Sequence, residues 1–254
     1  MTFLQAIILG VIEGFTEFLP VSSTAHLLLA QKALGVILTD EVAHFTIAVQ
    51  LGSILAAAVL YIRYFLSVRK VTELIFVLLP TIIAGVCVYP FLKTLFGNVL
   101  LIVPWTLVLG GILMLFGEYM YRQKKNTEIR ELTFKEKMIL GCAQTLALIP
   151  GVSRSAAMVV TGLFSGLPRQ AVTSFTFILA VPTMFSATLY DVYKSGVAFS
   201  ALITPSFIVG LVTAFAVALV SIRFMLFLVG KYTFVPFAWY RIVLGLTIAF
   251  LVYL

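Results

Sequence analysis

Charge is what this sequence has least of. Only 11% of its 254 residues are Asp, Glu, Lys or Arg, and 62% are hydrophobic; soluble domains run at about 25% and about 45–50%. So few charges cannot clothe a surface in water, and a soluble globular protein is excluded. Cysteine is nearly absent too. Cys87 and Cys142 both sit in apolar runs without metal-ligand spacing, which excludes a thiolate metal site and reads as two buried thiols. The opening MTFLQAIILGVIEGF has no basic stretch ahead of its apolar run, so a cleavable signal is not expected and the chain is expected to be complete as written. Acidic excess is missing as well, the balance being 17 Lys+Arg against 10 Asp+Glu. Arg122, Lys124, Lys125, Arg130, Lys135 and Lys137 crowd one polar stretch, which is the bias of a cytoplasmic loop and not a nucleic-acid surface.

What the chain does have is long apolar runs. A spanning helix needs roughly 20 such residues, and runs near 43–62, 74–92, 101–121, 171–193, 203–222 and 236–254 make six expected spans. Two more apolar stretches, near 3–34 and 138–167, are each interrupted by a polar, proline-containing break: Phe18-Leu-Pro-Val-Ser-Ser-Thr24 and Ile149-Pro-Gly-Val-Ser-Arg-Ser155. Each reads as two short helices with a kink between. Broken backbone at membrane depth is tolerated only where protein covers it or it lines a wet cavity, so both breaks are candidate sites.

The halves repeat. Ile8-Leu-Gly10 recurs as Ile139-Leu-Gly141, the Pro20 break as the Pro150 break, Phe45-Thr46 as Phe175-Thr176, and Pro80-x4-Gly85 as Pro205-x4-Gly210. Four matches in one order favour internal duplication. The expected organisation is a single membrane domain, with repeat one at about 1–121, a cytoplasmic loop at 122–137 and repeat two at about 138–254. With that loop inside, Arg63, Arg69, Lys70, Arg223 and Lys231 also fall inside, while the loops holding Lys93 and Lys194 fall outside. The stretch 138–167 must then enter and leave on the cytoplasmic side, and 3–34 on the outer side. The fold expected is therefore all-α: six transmembrane helices plus two re-entrant helical hairpins in two inverted-topology repeats, both termini outside and the breaks meeting near the midplane.

Ionisable groups inside lipid cost about 2.5–3.5 kcal/mol each on insertion scales, which makes them functional candidates. Glu13, Glu17 and His26 belong to the first hairpin and Arg154 to the second; Glu118, Asp191 and Arg241 lie near span ends and are expected to snorkel or face water. Glu13 and Glu17 stand four apart on one helical face, where two carboxylates repel unless a cation or a shared proton relieves them. A hard divalent cation, Mg²⁺ or Ca²⁺, suits such oxygen ligands; the structural alternative is that one acid pairs with Arg154 and the other is protonated. Ser22, Ser23 and Thr24, and Ser153 and Ser155, read as helix N-caps. Helix N-termini are also anion sites, and Arg154 grips phosphate bidentately. His26, three residues after Ser23, reads either as a helix-to-helix hydrogen bonder or as an acid or base beside the Ser23 hydroxyl. Nucleophile, base and paired carboxylates within fourteen residues are the ingredients of phosphoryl transfer.

These residues resemble the bacterial undecaprenyl-diphosphate phosphatases of the bacitracin-resistance type. The resemblance runs along essentially the whole chain and rests on Glu13-x3-Glu-Phe-Leu-Pro-Val-Ser-Ser-Thr-x-His26 and Pro150-Gly-Val-Ser-Arg-Ser155, with Gln50-Leu-Gly-Ser-Ile-Leu55 and Leu179-Ala-Val-Pro182 in support. It implies removal of the terminal phosphate of a C55 isoprenoid diphosphate, recycling of the monophosphate carrier for cell-wall synthesis, bacitracin resistance, a divalent cation, and a multi-pass protein of the bacterial inner membrane with its site facing outward. By position, Glu13 and Glu17 would hold the cation. Ser23 and His26 would supply nucleophile and acid or base, and Glu17 and Arg154 would join in catalysis. Ser22, Thr24, Ser153, Arg154 and Ser155 would bind the diphosphate. The partners implied are the lipid substrate and the bilayer, with no nucleic acid and with a homodimer as a candidate assembly. The chain departs from the family pattern at Ala25, where Gly is usual, at Ala156-Ala-Met158, where Gly-x-Thr is usual, and at Ser174, where Glu is often found. The competing reading is a cation- or proton-coupled transporter or flippase of a prenyl-phosphate lipid, since carriers also use inverted repeats with broken helices.

Overall fold

The computed structural model describes residues 1–36, 40–123, 130–195 and 204–253, and the described residues contain helices and no strand. In chain order the helices are α1 (Phe3–Thr16), α2 (Ser23–Ala33), α3 (Asp40–Leu60), α4 (Ile62–Phe65), α5 (Val68–Gly97), α6 (Val99–Gln123), α7 (Phe134–Gln144), α8 (Arg154–Ser165), α9 (Arg169–Ser195), α10 (Pro205–Lys231) and α11 (Val235–Tyr253). A 3-10 turn, Thr145–Leu148, extends α7. Among the described residues five stretches are long and apolar enough to cross a bilayer: Val68–Val88, Val99–Gln123, Arg169–Tyr190, Pro205–Lys231 and Val235–Val252. The run expected at 43–62 falls on α3, whose apolar part among the described residues is the shorter Val49–Leu60. Lys124 and Lys125 lie outside the described residues, as do the side chains of Lys93, Asp191 and Lys194.

Both interrupted stretches fold as helix, break, helix. α1 begins with a capping box, in which Thr2 Oγ1 accepts from Gln5 N at 3.2 Å and Gln5 Oε1 accepts from Thr2 N at 2.8 Å. The Gln5 amide nitrogen donates to Leu34 O at 3.1 Å, so the start of α1 lies beside the end of α2 and the pair is a hairpin. α7 opens on the same device, with Thr133 and Glu136 as the partners. α2 and α8 each start from a serine N-cap, Ser22 and Ser153, at φ 73° and 69°. They are the two positive-φ non-glycine residues among those described. Each hydroxyl accepts a backbone N–H three residues on, from Ala25 and Ala156, which offsets part of the roughly 1–3 kcal/mol that such a backbone costs.

Small residues draw the helices together. A Cβ on Gly10 would come within 2.7 Å of Gly210 O, and one on Gly14 within 2.6 Å of Ala214 O, so α1 lies backbone to backbone on α10 along two glycines four apart. α6 and α11 pack the same way, through Gly111 against Ala238 O and Gly245 against Pro104 O. Phe18 of the first break meets Phe177 of α9 edge to face, centroids 5.1 Å apart, inside the main apolar core.

The outer surface is studded with Leu, Ile, Val and Phe, as lipid-facing helices require. Cys87 and Cys142 belong to it: both are exposed, contrary to the buried thiols expected. An apolar run does not imply burial within the protein when lipid solvates apolar side chains as well as a core does. Glu118 departs from expectation in the opposite direction. It is buried, accepts from Arg169 Nε at 3.0 Å and from Phe234 N at 2.9 Å, and so ties α6 to α9 and to the start of α11.

Candidate active site

The two breaks meet around one polar cavity of about 190 Å³, lined from the first break by Glu17, Ser22, Ser23 and Thr24 and from the second by Pro150, Gly151, Ser153 and Arg154. The space is well above the roughly 10–15 Å³ that a single water needs. Six of the residues singled out in the sequence therefore converge here from two distant segments.

Glu17 closes α1 and is held on both carboxylate oxygens. Ser23 Oγ donates to Oε2 at 2.6 Å, and Arg154 Nη2 donates to Oε1 at 3.0 Å. The serine bond has the length of a charge-assisted O–H···O⁻ contact. Arg154 Nη1 donates to Thr176 O at 2.7 Å, which fixes the guanidinium plane and leaves three of its five N–H donors. Hydroxyl, carboxylate and guanidinium thus form one hydrogen-bonded chain, in which the carboxylate accepts from both the serine and the arginine.

Glu13 sits one turn earlier, fully buried, and neither of its oxygens has a hydrogen-bond partner among the described residues. Glu17 pairs with Arg154 and Glu13 does not line the cavity, so the unpartnered Glu13 carboxyl is suited either to a cation shared with Glu17 or to a proton, the two readings drawn from the sequence. Ser155 is buried, does not line the cavity, and its hydroxyl is also unpartnered among the described residues. Met158 is fully buried in the apolar core, away from the cavity lining.

His26 is not brought to Ser23. It faces a separate apolar groove of about 770 Å³ between α1, α2 and the start of α11, lined by Val11, Phe15, Leu29, Phe237 and Tyr240 among others. Its Nδ1 lies 2.8 Å from Ser22 O and its Nε2 2.6 Å from Tyr240 Oη. A carbonyl only accepts, so Nδ1 carries the hydrogen, and in the neutral ring Nε2 accepts from the tyrosine. His26 thus makes a helix-to-helix hydrogen bond, one of the two readings drawn from the sequence. It also secures the carbonyl of the strained Ser22 cap.

Sequence reasoning missed Arg241. Expected to snorkel, it is instead fully buried. Its Nη1 donates to Pro20 O at 3.1 Å, and its Nη2 to Thr106 O, Gly151 O and Val152 O at 3.2, 3.3 and 3.0 Å. One side chain on α11 therefore binds backbone carbonyls of both breaks, which no helix satisfies. It lies against Gly110, where any Cβ would strike the guanidinium. Thr106 adds a bond to Pro150 O at 2.9 Å, and Gly151, at φ 85°, leaves no room for a Cβ beside Thr106 Oγ1. Thr81, Gln144 and Thr183, also unforeseen, line the cavity together with Gln50.

Residues 6–247 match the family model of the bacitracin resistance protein BacA. The chain is 43% identical over 249 residues to an undecaprenyl-diphosphatase of Sulfurihydrogenibium sp. (strain YO3AOP1), with 97% of this chain and 98% of the relative covered. An undecaprenyl-diphosphatase of Aquifex aeolicus is 40% identical over 252 residues, covering 98% of each chain. One of Wolinella succinogenes is 42% identical over 257 residues, covering 100% of this chain and 99% of that one.

Proposed function

The chain belongs to the family of the bacitracin resistance protein BacA, and on that premise we infer that it is an undecaprenyl-diphosphatase, a multi-pass hydrolase of the bacterial membrane. It removes the terminal phosphate of undecaprenyl diphosphate, returns the monophosphate carrier to cell-wall synthesis and so supports bacitracin resistance. The observation that carries the chemistry is the Ser23–Glu17–Arg154 chain inside the cavity. A carrier needs no acidic partner on a serine, whereas a hydrolase does.

In the mechanism we favour, Ser23 Oγ attacks the terminal phosphorus. The Oγ–P bond forms as the bridging P–O bond breaks, and the hydroxyl proton passes to Glu17 and from it to the oxygen of the departing prenyl monophosphate, which leaves Glu17 a carboxylate again. Water then attacks the phosphoserine with Glu17 taking its proton, and inorganic phosphate departs as the Oγ–P bond breaks and Glu17 returns that proton to Ser23 Oγ. The free N–H groups of Arg154 and the N-termini of α2 and α8, with Ser22, Thr24 and Ser153, bind the phosphoryl oxygens. A divalent cation, when bound, would neutralise diphosphate charge, and Glu13 with Glu17 would hold it. His26 keeps Ser22 in place and is not the nucleophile in this scheme.

The architecture that best supports this function is six spans and two re-entrant hairpins in inverted repeats, with the cavity open to the outer face and both termini outside. Its support is the pair of matched serine caps and a crosswise packing, α1 on α10 and α7 on α5. A homodimer is compatible with this arrangement. The deciding experiment is phosphate release from undecaprenyl diphosphate by the purified chain, with and without chelator. No release at any cation concentration defeats the reading.

A further inference from the structure

Part of the cavity belongs to neither break. Gln50 of α3, Thr81 of α5, Gln144 of α7 and Thr183 of α9 line it, and the mechanism above uses none of them. Three are locked together. Thr81 Oγ1 donates its single hydrogen to Gly141 O at 3.3 Å, so toward Gln144 it can only accept. Gln144 Nε2 donates to it at 3.1 Å, which sets the amide with nitrogen toward Thr81 and oxygen toward Thr183 Oγ1, 3.3 Å away, whose one hydrogen is shared with Leu179 O at 2.7 Å.

An amide nitrogen carries two hydrogens, and the second on Gln144 has no acceptor among the described residues although the side chain is only 1% exposed. Gln50 makes no side-chain hydrogen bond among the described residues and offers two more donors at the same cavity. Gln144 follows Glu13 by the same 131 positions that separate Ser153 from Ser22. Where the first hairpin carries a carboxylate suited to a cation, the second carries a neutral donor suited to an anion's oxygen.

We propose that Gln144, held by Thr81 and Thr183, forms with Gln50 a subsite for the phosphoryl group that is not attacked, so that the cavity selects diphosphate esters over monophosphate esters. The proposal rests on the phosphatase reading. An unused, pre-oriented N–H in a buried site recovers its desolvation cost only when an acceptor arrives, and the non-bridging oxygens of a second phosphoryl group are such acceptors.

The test uses the full chain in lipid nanodiscs, with methylenediphosphonate and orthophosphate as probes. Their affinities are measured by calorimetry for wild type, Gln144→Met and Gln50→Leu, alongside kcat and KM for the prenyl diphosphate. Loss of a hydrogen bond to a charged group should weaken methylenediphosphonate about tenfold or more in Gln144→Met and raise KM in step, while orthophosphate changes less than about twofold. Gln50→Leu, which breaks no bond within the protein, should shift the same ratio and decides the matter if Gln144→Met does not fold. Equal weakening of both probes, or an unshifted ratio in a variant that folds, overturns the subsite. A wild type that releases no phosphate defeats the phosphatase reading instead.

Discussion

Ser23 Oγ lies 2.6 Å from Oε2 of Glu17, six residues back across the Pro20 break, and the other oxygen of that carboxylate is held by Arg154 from the opposite half of the chain. In the proposed mechanism the nucleophile and its base come from one break and the anion-binding group from the other. Neither half is a site alone.

Ser23→Ala and Glu17→Gln should each lower kcat by about 10²–10⁴, the usual worth of a positioned general base or of the nucleophile it serves. His26→Ala should cost less, because the ring faces the apolar groove and acts through the Ser22 carbonyl. Steady-state phosphate release by the three variants separates the roles. A loss in His26→Ala as deep as that of Ser23→Ala, with the melting temperature unchanged, would make His26 the attacking group.

Glu13→Gln should shift the cation dependence more than it disturbs the serine, since the Glu13 oxygens make no hydrogen bond to Ser23. The midpoint of a Mg²⁺ or Ca²⁺ titration of phosphate release is expected to rise at least severalfold. A lowered plateau with an unmoved midpoint would assign Glu13 to proton handling.

Arg241→Met should destabilise the protein as well as inactivate it. It strands carbonyls of both breaks, at about 1–3 kcal/mol for each buried acceptor left unpaired, while Arg241→Lys keeps the charge but loses the fork that spans Pro20 and Gly151. Gly110→Ala reaches the same result from the other side by driving a methyl group into the guanidinium. Thermal melts in detergent, read beside kcat/KM, are expected to fall together for all three. A Gly110→Ala protein with wild-type melting would show that Arg241 has room to move.

Acid should loosen the start of α7 first. Arg130 holds the Glu136 carboxyl down at about 2 through two hydrogen bonds, at 2.9 and 2.6 Å. A carboxylate whose folded pKa is depressed contributes stability that is fully present above its ordinary range near 4.5 and is lost as pH falls toward 2. In Arg130→Ala that contribution is reduced at neutral pH, and the pH midpoint of unfolding should move upward. Circular dichroism of both proteins between pH 2 and 6 measures the shift. Coincident acid transitions would show that this pair is decoupled from the rest of the fold.

Hydropathy, two proline breaks and a handful of intramembrane charges were enough to determine an all-helical membrane chain and to mark Glu17, Ser23, Ser153 and Arg154 as members of one site. Those features are local: an apolar run must be helical in lipid, and a charge placed there must find a partner. The direction a polar group faces is a different kind of fact. His26 is three residues from Ser23, which along a helix suggests a shared face, yet the turn of α2 out of the strained Ser22 cap sends its ring to Tyr240. Cys87 and Cys142 point to the outer surface because lipid accepts what a soluble core would have to bury. Arg241 looked like an end-of-span charge until α6, bared at Gly110, and α11 were packed together around it, with the carbonyls of both breaks as its partners. The second N–H of Gln144 is left over among the described residues because Thr81, from another helix, takes the first. Composition and periodicity specify which elements form; which unpaired donors and acceptors meet across helices is decided by how closely the small residues let those helices approach.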